Sequence, residues 1–226
     1  MLLQAKNKEI MAQKEEIEAQ RDEIEIQRDV LAKQKQEITD SIHYASRIQA
    51  AVLPPKEFIN KILPENYFIL YKPRDIVSGD FFWIAQKDNK TIITVADCTG
   101  HGVPGAFMSM LGISFLNEIV NSNNISNADE ILNKLREHVI KALHQTGETG
   151  ENKDGMDIAM CVIDFDTQKL QFAGAYNPLY LVRNDELLHF KADKMPIGIY
   201  FKGDKAFSCQ EIDIEKGDSI YVFSDG

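Results

Sequence analysis

Cysteine is scarce in this chain: Cys98, Cys161 and Cys209 are the only three in 226 residues. They lie too far apart for a disulfide framework or a zinc cluster, so the expectation is three partly buried thiols in a reducing compartment. A basic excess is missing too. The net charge is −10 and no basic stripe is visible, which argues against a nucleic-acid-binding surface. No apolar stretch approaches the roughly 20 residues that span a bilayer, and the N-terminus lacks the basic-then-apolar pattern of a signal peptide. The expectation is a cytoplasmic chain with no membrane segment of its own. Also absent are a Gly-x-Ser-x-Gly elbow, a Gly-rich phosphate loop with its Lys, a Cys/His cluster and kinase motifs, so no such catalytic set competes for the chemistry.

Glycine, proline and aromatic residues are missing from residues 1–40, which are rich in Gln, Glu, Lys and Arg. Leu3, Ile10, Ile17, Ile24, Leu31 and Ile38 recur at every seventh position, the period that winds helices left-handedly around one another. The second seam is poor. Three residues on come Gln13, Gln20, Gln27 and Gln34, and four on come Lys14, Arg21, Arg28 and Lys35. The pattern fits a parallel homodimer through residues 3–38 that associates weakly, or a solvated single helix held by Glu-to-Lys/Arg pairs. Ile42, Ala45, Ile48 and Val52 carry the helical stripe on to Pro54-Pro55, where it must stop.

The rest has the composition of one soluble globular domain. The expected division is a coiled-coil stalk over 1–44, a helical linker over 45–65 and a folded domain over 66–226. Short runs rich in β-branched and aromatic residues predict strands over 67–71, 81–85 and 91–96. A helical pair over 104–120 and 127–144 follows, then strands over 158–165, 170–173, 179–183, 187–191 and 219–223. That order is α+β rather than strict strand–helix alternation.

Asp80 stands just before one predicted strand and Asp97 just after the next, with Asp88-Asn89 midway. If those two residues make a tight hairpin turn, Lys87 pairs with Lys90 and Asp80 faces Asp97. Facing carboxylates repel unless a cation lies between them. A further apolar strand, Ser219 to Phe223, runs into Ser224-Asp225-Gly226 in the same way. Any single Asp of this kind is commonly a turn residue; three with one geometry favour an oxygen-ligand site for Mg²⁺ or Mn²⁺. After Asp97, the glycines of Cys98-Thr99-Gly100-His101-Gly102-Val103-Pro104-Gly105 let the backbone approach an ion or a phosphate, and Pro104 fits the first turn of a helix. His101 is a candidate general acid, or an imidazole held by turn backbone, with no Asp or Glu beside it in sequence to orient it. Asp154 and Asp157, the latter opening the strand over 158–165, are read first as solvated loop carboxylates, with a site role as the alternative.

These residues resemble the SpoIIE-type branch of the metal-dependent serine/threonine protein phosphatase (PPM) family. The resemblance is carried by Ile48-Gln49 with Leu53-Pro54, by Val77-Ser78-Gly79-Asp80-Phe81-Phe82, and by Ala96-Asp97-Cys98-Thr99-Gly100-His101-Gly102 with Pro104 and Ala106. Gly174 to Pro178, Pro196-Ile197-Gly198, Gly217-Asp218 and Phe223 to Gly226 continue it. It implies an αββα sandwich of two antiparallel sheets flanked by helices, with two Mn²⁺ or Mg²⁺ ions. Asp80, Asp97, Asp225 and the backbone carbonyl of Cys98 are then metal ligands, and a metal-activated water attacks phosphorus without a phosphoenzyme. Arg74 and Gly100 stand where phosphate contacts are expected. The implied partner is a phosphorylated regulatory protein of the anti-sigma-antagonist kind. The family's last Asp has no counterpart here, which implies a further segment downstream; the alternative function is a non-catalytic adaptor that binds a phosphoprotein.

Overall fold

The computed structural model describes residues 1–63, 66–122, 125–148, 153–201 and 205–224. It divides into two compact units, Met1–Tyr44 and Ala45–Gly226. Helix α1 runs over Leu2–Val52. In the first unit it is a solvated rod whose heptad residues Leu3, Ile10, Ile17, Ile24, Leu31 and Ile38 are all exposed. Side-chain pairs such as Gln20 to Glu16, Gln27 to Glu23 and Lys14 to Glu18 run along its surface, the four-residue spacing that helps an isolated helix by about 0.2–0.5 kcal/mol per pair.

The second unit adds α2 (Lys56–Ile62), β1 (Phe81–Lys87), β2 (Lys90–Cys98), α3 (Gly102–Asn117) with a π-helical turn Glu118–Ser122, and α4 (Ala128–Ala142). Strands β3 (Met156–Asp164), β4 (Lys169–Ala175), β5 (Leu179–Arg183), β6 (Glu186–Phe190), β7 (Gln210–Asp213) and β8 (Ser219–Val222) complete it. A five-stranded sheet has the order β1-β2-β3-β4-β7 and a three-stranded sheet the order β6-β5-β8. Every ladder is antiparallel. The fold is thus the expected α+β arrangement of two antiparallel sheets with helices.

Strand β3 shows how the layers are assigned. Ile158, Met160 and Val162 join Leu116, Ile131, Leu135 and Val139 in a core beneath α3 and α4. The alternating residues Ala159, Cys161 and Ile163 join Phe172, Leu179 and Leu181 in a second core between the sheets. One strand with period-2 side chains therefore seeds both cores. Each fully buried aliphatic side chain in them contributes about 1.5–3 kcal/mol.

Four expectations need correction. Residues 67–71 form no strand: they join neither sheet, Phe68 and Leu70 are exposed, and the segment's rings pack instead, Phe68 on Tyr221 and Tyr71 on Phe82. Strand β7 was not foreseen, since Gln-Glu-Ile-Asp offers one buried residue, Ile212. Cys209 is exposed, whereas Cys98 and Cys161 are buried. Finally, Gly102–Ser122 is long and apolar enough by composition to cross a membrane. Leu116, Ile119 and Val120 within it are fully buried in the domain core, so it is read as a core helix.

Candidate metal centre and active site

The hairpin between β1 and β2 has the expected register. Asp88 and Asn89 both have positive φ, 47° and 64°, the turn in which both central residues are left-handed. Lys87 pairs with Lys90, and the ladder runs to Phe81 opposite Ala96. Continued one step past the ladder, the same register sets Asp80 opposite Asp97. On the other side of β2, Asp97 pairs directly with Asp157, the second residue of β3. Residues opposite one another share a face, so the register aligns Asp80, Asp97 and Asp157 in a row across three adjacent segments. Their neighbours Ala96, Cys98, Met156 and Ile158 belong to the helix-side core and Ala159 to the inter-sheet core. The carboxylates therefore lie on the face turned towards the second sheet. From that sheet, just past β8, Ser224 Oγ donates to Asp80 Oδ2 at 3.3 Å. Asp225, the next residue, lies outside the described residues.

Backbone crowds in beside this row. A Cβ on Gly79 would sit 2.8 Å from the Gly100 carbonyl oxygen and 3.2 Å from that of Cys98. A Cβ on Gly105 would sit 2.5 Å from the same Gly100 oxygen. Glycine at both positions lets the segment before Asp80, the loop after Asp97 and the start of α3 touch main chain to main chain. The Cys98 thiol points into the helix-side core, where burial first, then the charges of Asp97 and Asp80, push its pKa far up. It stays a protonated thiol, and the oxygen that Cys98 offers is its carbonyl. Carboxylates and a carbonyl at close range suit a hard divalent cation. Among the described residues, no three His, Cys, Asp or Glu side chains form a cage for an ion by themselves. Of the ligands that the resemblance implies, Asp80, Asp97 and the Cys98 carbonyl lie among the described residues.

Two buried glutamines hold the loops behind the row. Gln49, near the end of α1, donates from Nε2 to the Ser78 carbonyl at 2.6 Å, and its Oε1 accepts the Ser78 N–H at 3.0 Å. Gln145, after α4, donates to the Asp154 carbonyl at 2.6 Å and accepts the Ile199 N–H at 3.0 Å. Thr99 closes the gap between the loops, its N–H donating to the Gly155 carbonyl at 2.9 Å. Sequence reasoning noted Gln49 only within a motif and passed over Gln145. The available signal was a glutamine beside the apolar helical stripe of Ala45, Ile48 and Val52.

His101 is exposed at the start of α3, and its Nδ1 lies 3.0 Å from Asp75 Oδ2. This corrects the expectation that no carboxylate orients the ring: Asp75 is 26 residues away in sequence and adjacent in space. Arg74 is exposed in the same segment, and Gly100 is exposed at the turn. Phe107 and Val103, also exposed, lie on α3 just beyond His101.

Paired antiparallel sheets backed by helices, with strand-borne aspartates gathered at one end, define a PP2C-like domain. The SiaA-PP2C domain of Pseudomonas aeruginosa superposes with a TM-score of 0.74 at 32% identity, over 85% of this chain and 73% of that one. The chain belongs to the SpoIIE family: residues 87–226 match the family described as stage II sporulation protein E. Phosphoserine phosphatase RsbU of Bacillus subtilis (strain 168) is 27% identical over 199 residues, covering 85% of this chain and 54% of RsbU. The chain thus spans about half the length of that curated relative. The PP2C domain and regulatory fragment of SpoIIE from Bacillus subtilis matches at TM-score 0.53 and 20% identity, over 66% of this chain and 42% of that one, a likeness of fold alone.

Proposed function

We propose that this chain is the phosphatase module of a signalling protein, a divalent-metal-dependent hydrolase of phosphoserine or phosphothreonine on a regulatory partner. The observation that supports this reading is the β1–β2 register, which ends at Phe81 opposite Ala96 with Asp80 and Asp97 as the next residues, while the Cys98 carbonyl closes on Gly79. Asp80, Asp97, that carbonyl and Asp225 hold the ions, two Mn²⁺ or Mg²⁺. When bound, such ions supply Lewis-acid polarisation of the phosphoryl group and acidify water.

The remaining groups act on the leaving oxygen and the phosphate. His101 donates a proton to the seryl oxygen as its bond to phosphorus breaks, and Asp75 holds the imidazole through Nδ1. Arg74 adjoins Asp75 in the chain and is the cation nearest in sequence to that pair, so it is the residue assigned to the substrate phosphate. Phosphoprotein partners fit the kinship with a phosphoserine phosphatase, and a protein of the anti-sigma-antagonist kind is the partner proposed. Two chains pair in parallel through residues 3–38, supported by the unbroken heptad of exposed Leu and Ile.

The test is phosphate release from a phosphoserine peptide by the full chain, with and without Mn²⁺ and after chelation. Metal-dependent release that chelator abolishes is expected. A folded protein without turnover at saturating Mn²⁺ favours the adaptor.

A further inference from the structure

The turn from β4 to β5 carries Tyr176-Asn177-Pro178, a motif that the chemistry above leaves unused. Tyr176 has φ 58°, in the left-handed region where a bulky aromatic residue is rare. Across it, the Asn177 N–H donates to the Ala175 carbonyl at 2.6 Å, so Tyr176 is the centre of a three-residue turn with positive φ, the rare and strained form. Main chain holds it there. Asp193 straps the turn from both sides, its carbonyl accepting the Tyr176 N–H at 2.9 Å and its N–H donating to the Gly174 carbonyl at 2.9 Å. A Cβ on Gly174 would sit 2.6 Å from the Asn177 carbonyl oxygen, so the chain folds back directly over Gly174. Yet the side chain that this backbone presents is 46% exposed. Glycine or asparagine would take the same φ at lower cost, so the fold alone does not account for a tyrosine here, and strain of this kind gathers at functional sites.

The turn also stands at the end of the aspartate row. Strands β3 and β4 pair up to Ile158 opposite Ala175, and the same register continued one step sets Tyr176 opposite Asp157. Alternation agrees, since Ala173 and Ala175 belong to the helix-side core and Phe172 to the inter-sheet core, the face that the aspartates share. Partial burial pushes the Tyr176 pKa up first, followed by the neighbouring Tyr200 and the charge of Asp157, so these three groups meet at one corner. We propose that Tyr176 is a substrate-binding residue: its ring and hydroxyl hold the peptide segment that flanks the phosphoserine, which favours a phosphorylated protein over a small phosphate ester. The inference rests on the phosphatase reading above. Strands lie about 4.8 Å apart, so Tyr176, two strands from Asp97, stands about 10 Å from it, a length spanned by about three residues of extended peptide. A phosphoryl group held at Asp80 and Asp97 is that far off. The charge of Asp157 beside the hydroxyl also disfavours a phosphate dianion there and suits a peptide N–H or a basic side chain.

The experiment is steady-state phosphate release by the full chain at saturating Mn²⁺, from a phosphoserine peptide and from para-nitrophenyl phosphate, with melting curves alongside. Tyr176→Ala is expected to raise KM for the peptide about ten-fold with kcat within about two-fold of wild type, the pattern of lost ground-state binding. Tyr176→Phe keeps the ring, loses the hydroxyl and falls between wild type and Tyr176→Ala. Turnover of para-nitrophenyl phosphate and its Mn²⁺ dependence stay within about two-fold of wild type in both variants. Tyr176→Asn relieves the backbone, so it melts at or above wild type while its peptide KM rises as in Tyr176→Ala. A tyrosine that served folding alone would lose stability in all three variants and slow both substrates together. Unchanged peptide KM in Tyr176→Ala, or equal losses on both esters, overturns the proposal; Tyr176→Phe and Tyr176→Asn carry the test if Tyr176→Ala does not fold. A wild-type chain that releases phosphate from neither ester overturns the phosphatase reading, and this proposal with it.

Discussion

Asp157 and His101 gain their meaning from neighbours far along the chain. Asp157 stands opposite Asp97 because β2 and β3 pair along nine residues, and a one-residue slip would move it to the other face. In sequence it is one of two aspartates in a glycine-containing loop, with nothing to separate it from Asp154. His101 likewise meets Asp75 only in three dimensions. If Asp75 orients the ring, His101→Ala lowers kcat by about 100-fold on phosphoserine peptides, and Asp75→Asn by a smaller factor in the same direction. Both losses shrink on an aryl phosphate whose leaving group needs no proton. Equal losses on both substrates, read from steady-state rates, contradict the general-acid role. Asp80 and Asp97 were legible beforehand because a two-residue turn ties their positions together locally; Gln49, Gln145 and Asp157 were not, because each is defined by a contact across the fold.

Elements with a strong local code were equally legible. Asp88-Asn89 specifies its hairpin, the all-round apolar α3 specifies a core helix, and Leu179–Arg183 appears at its expected bounds. Strand β7 failed that test because its pairing with β4, Phe172 opposite Gln210 and Leu170 opposite Ile212, depends on the partner rather than on its own residues. Residues 67–71 failed in the opposite sense, with strand-like residues and no ladder. The connection from β7 to β8 is held by a clasp: Arg183 Nε and Nη2 donate to the two oxygens of Asp218 at 2.9 and 2.7 Å, and Nη1 to Glu215 at 2.8 Å. The hydrogen bonds from Arg183 hold the Asp218 carboxyl below its ordinary value of 3.8. A lowered folded-state pKa means stability present above that ordinary value and lost as pH falls through the folded one. Asp218→Asn is therefore expected to melt below wild type at neutral pH, with the gap closing once pH drops under 3.8. A gap independent of pH in thermal melts contradicts the clasp.

At the scale of the whole molecule, an exposed heptad stripe and a PP2C-like domain stand in one chain. Six exposed Leu and Ile at one seam, with Gln beside them, fit a dimer that is held weakly and can adjust its pairing. Sedimentation of the full chain is expected to give a concentration-dependent dimer, and Ile17→Asp with Ile24→Asp a monomer whose domain still folds. A wild-type monomer at every concentration rules out regulation by pairing. The central claim is the aspartate site itself. Its most direct test is phosphate release from a phosphoserine peptide across a Mn²⁺ titration, wild type against Asp97→Asn. The account predicts saturable Mn²⁺-dependent turnover that Asp97→Asn abolishes in a folded protein; turnover that is indifferent to Mn²⁺ or survives that substitution would contradict it.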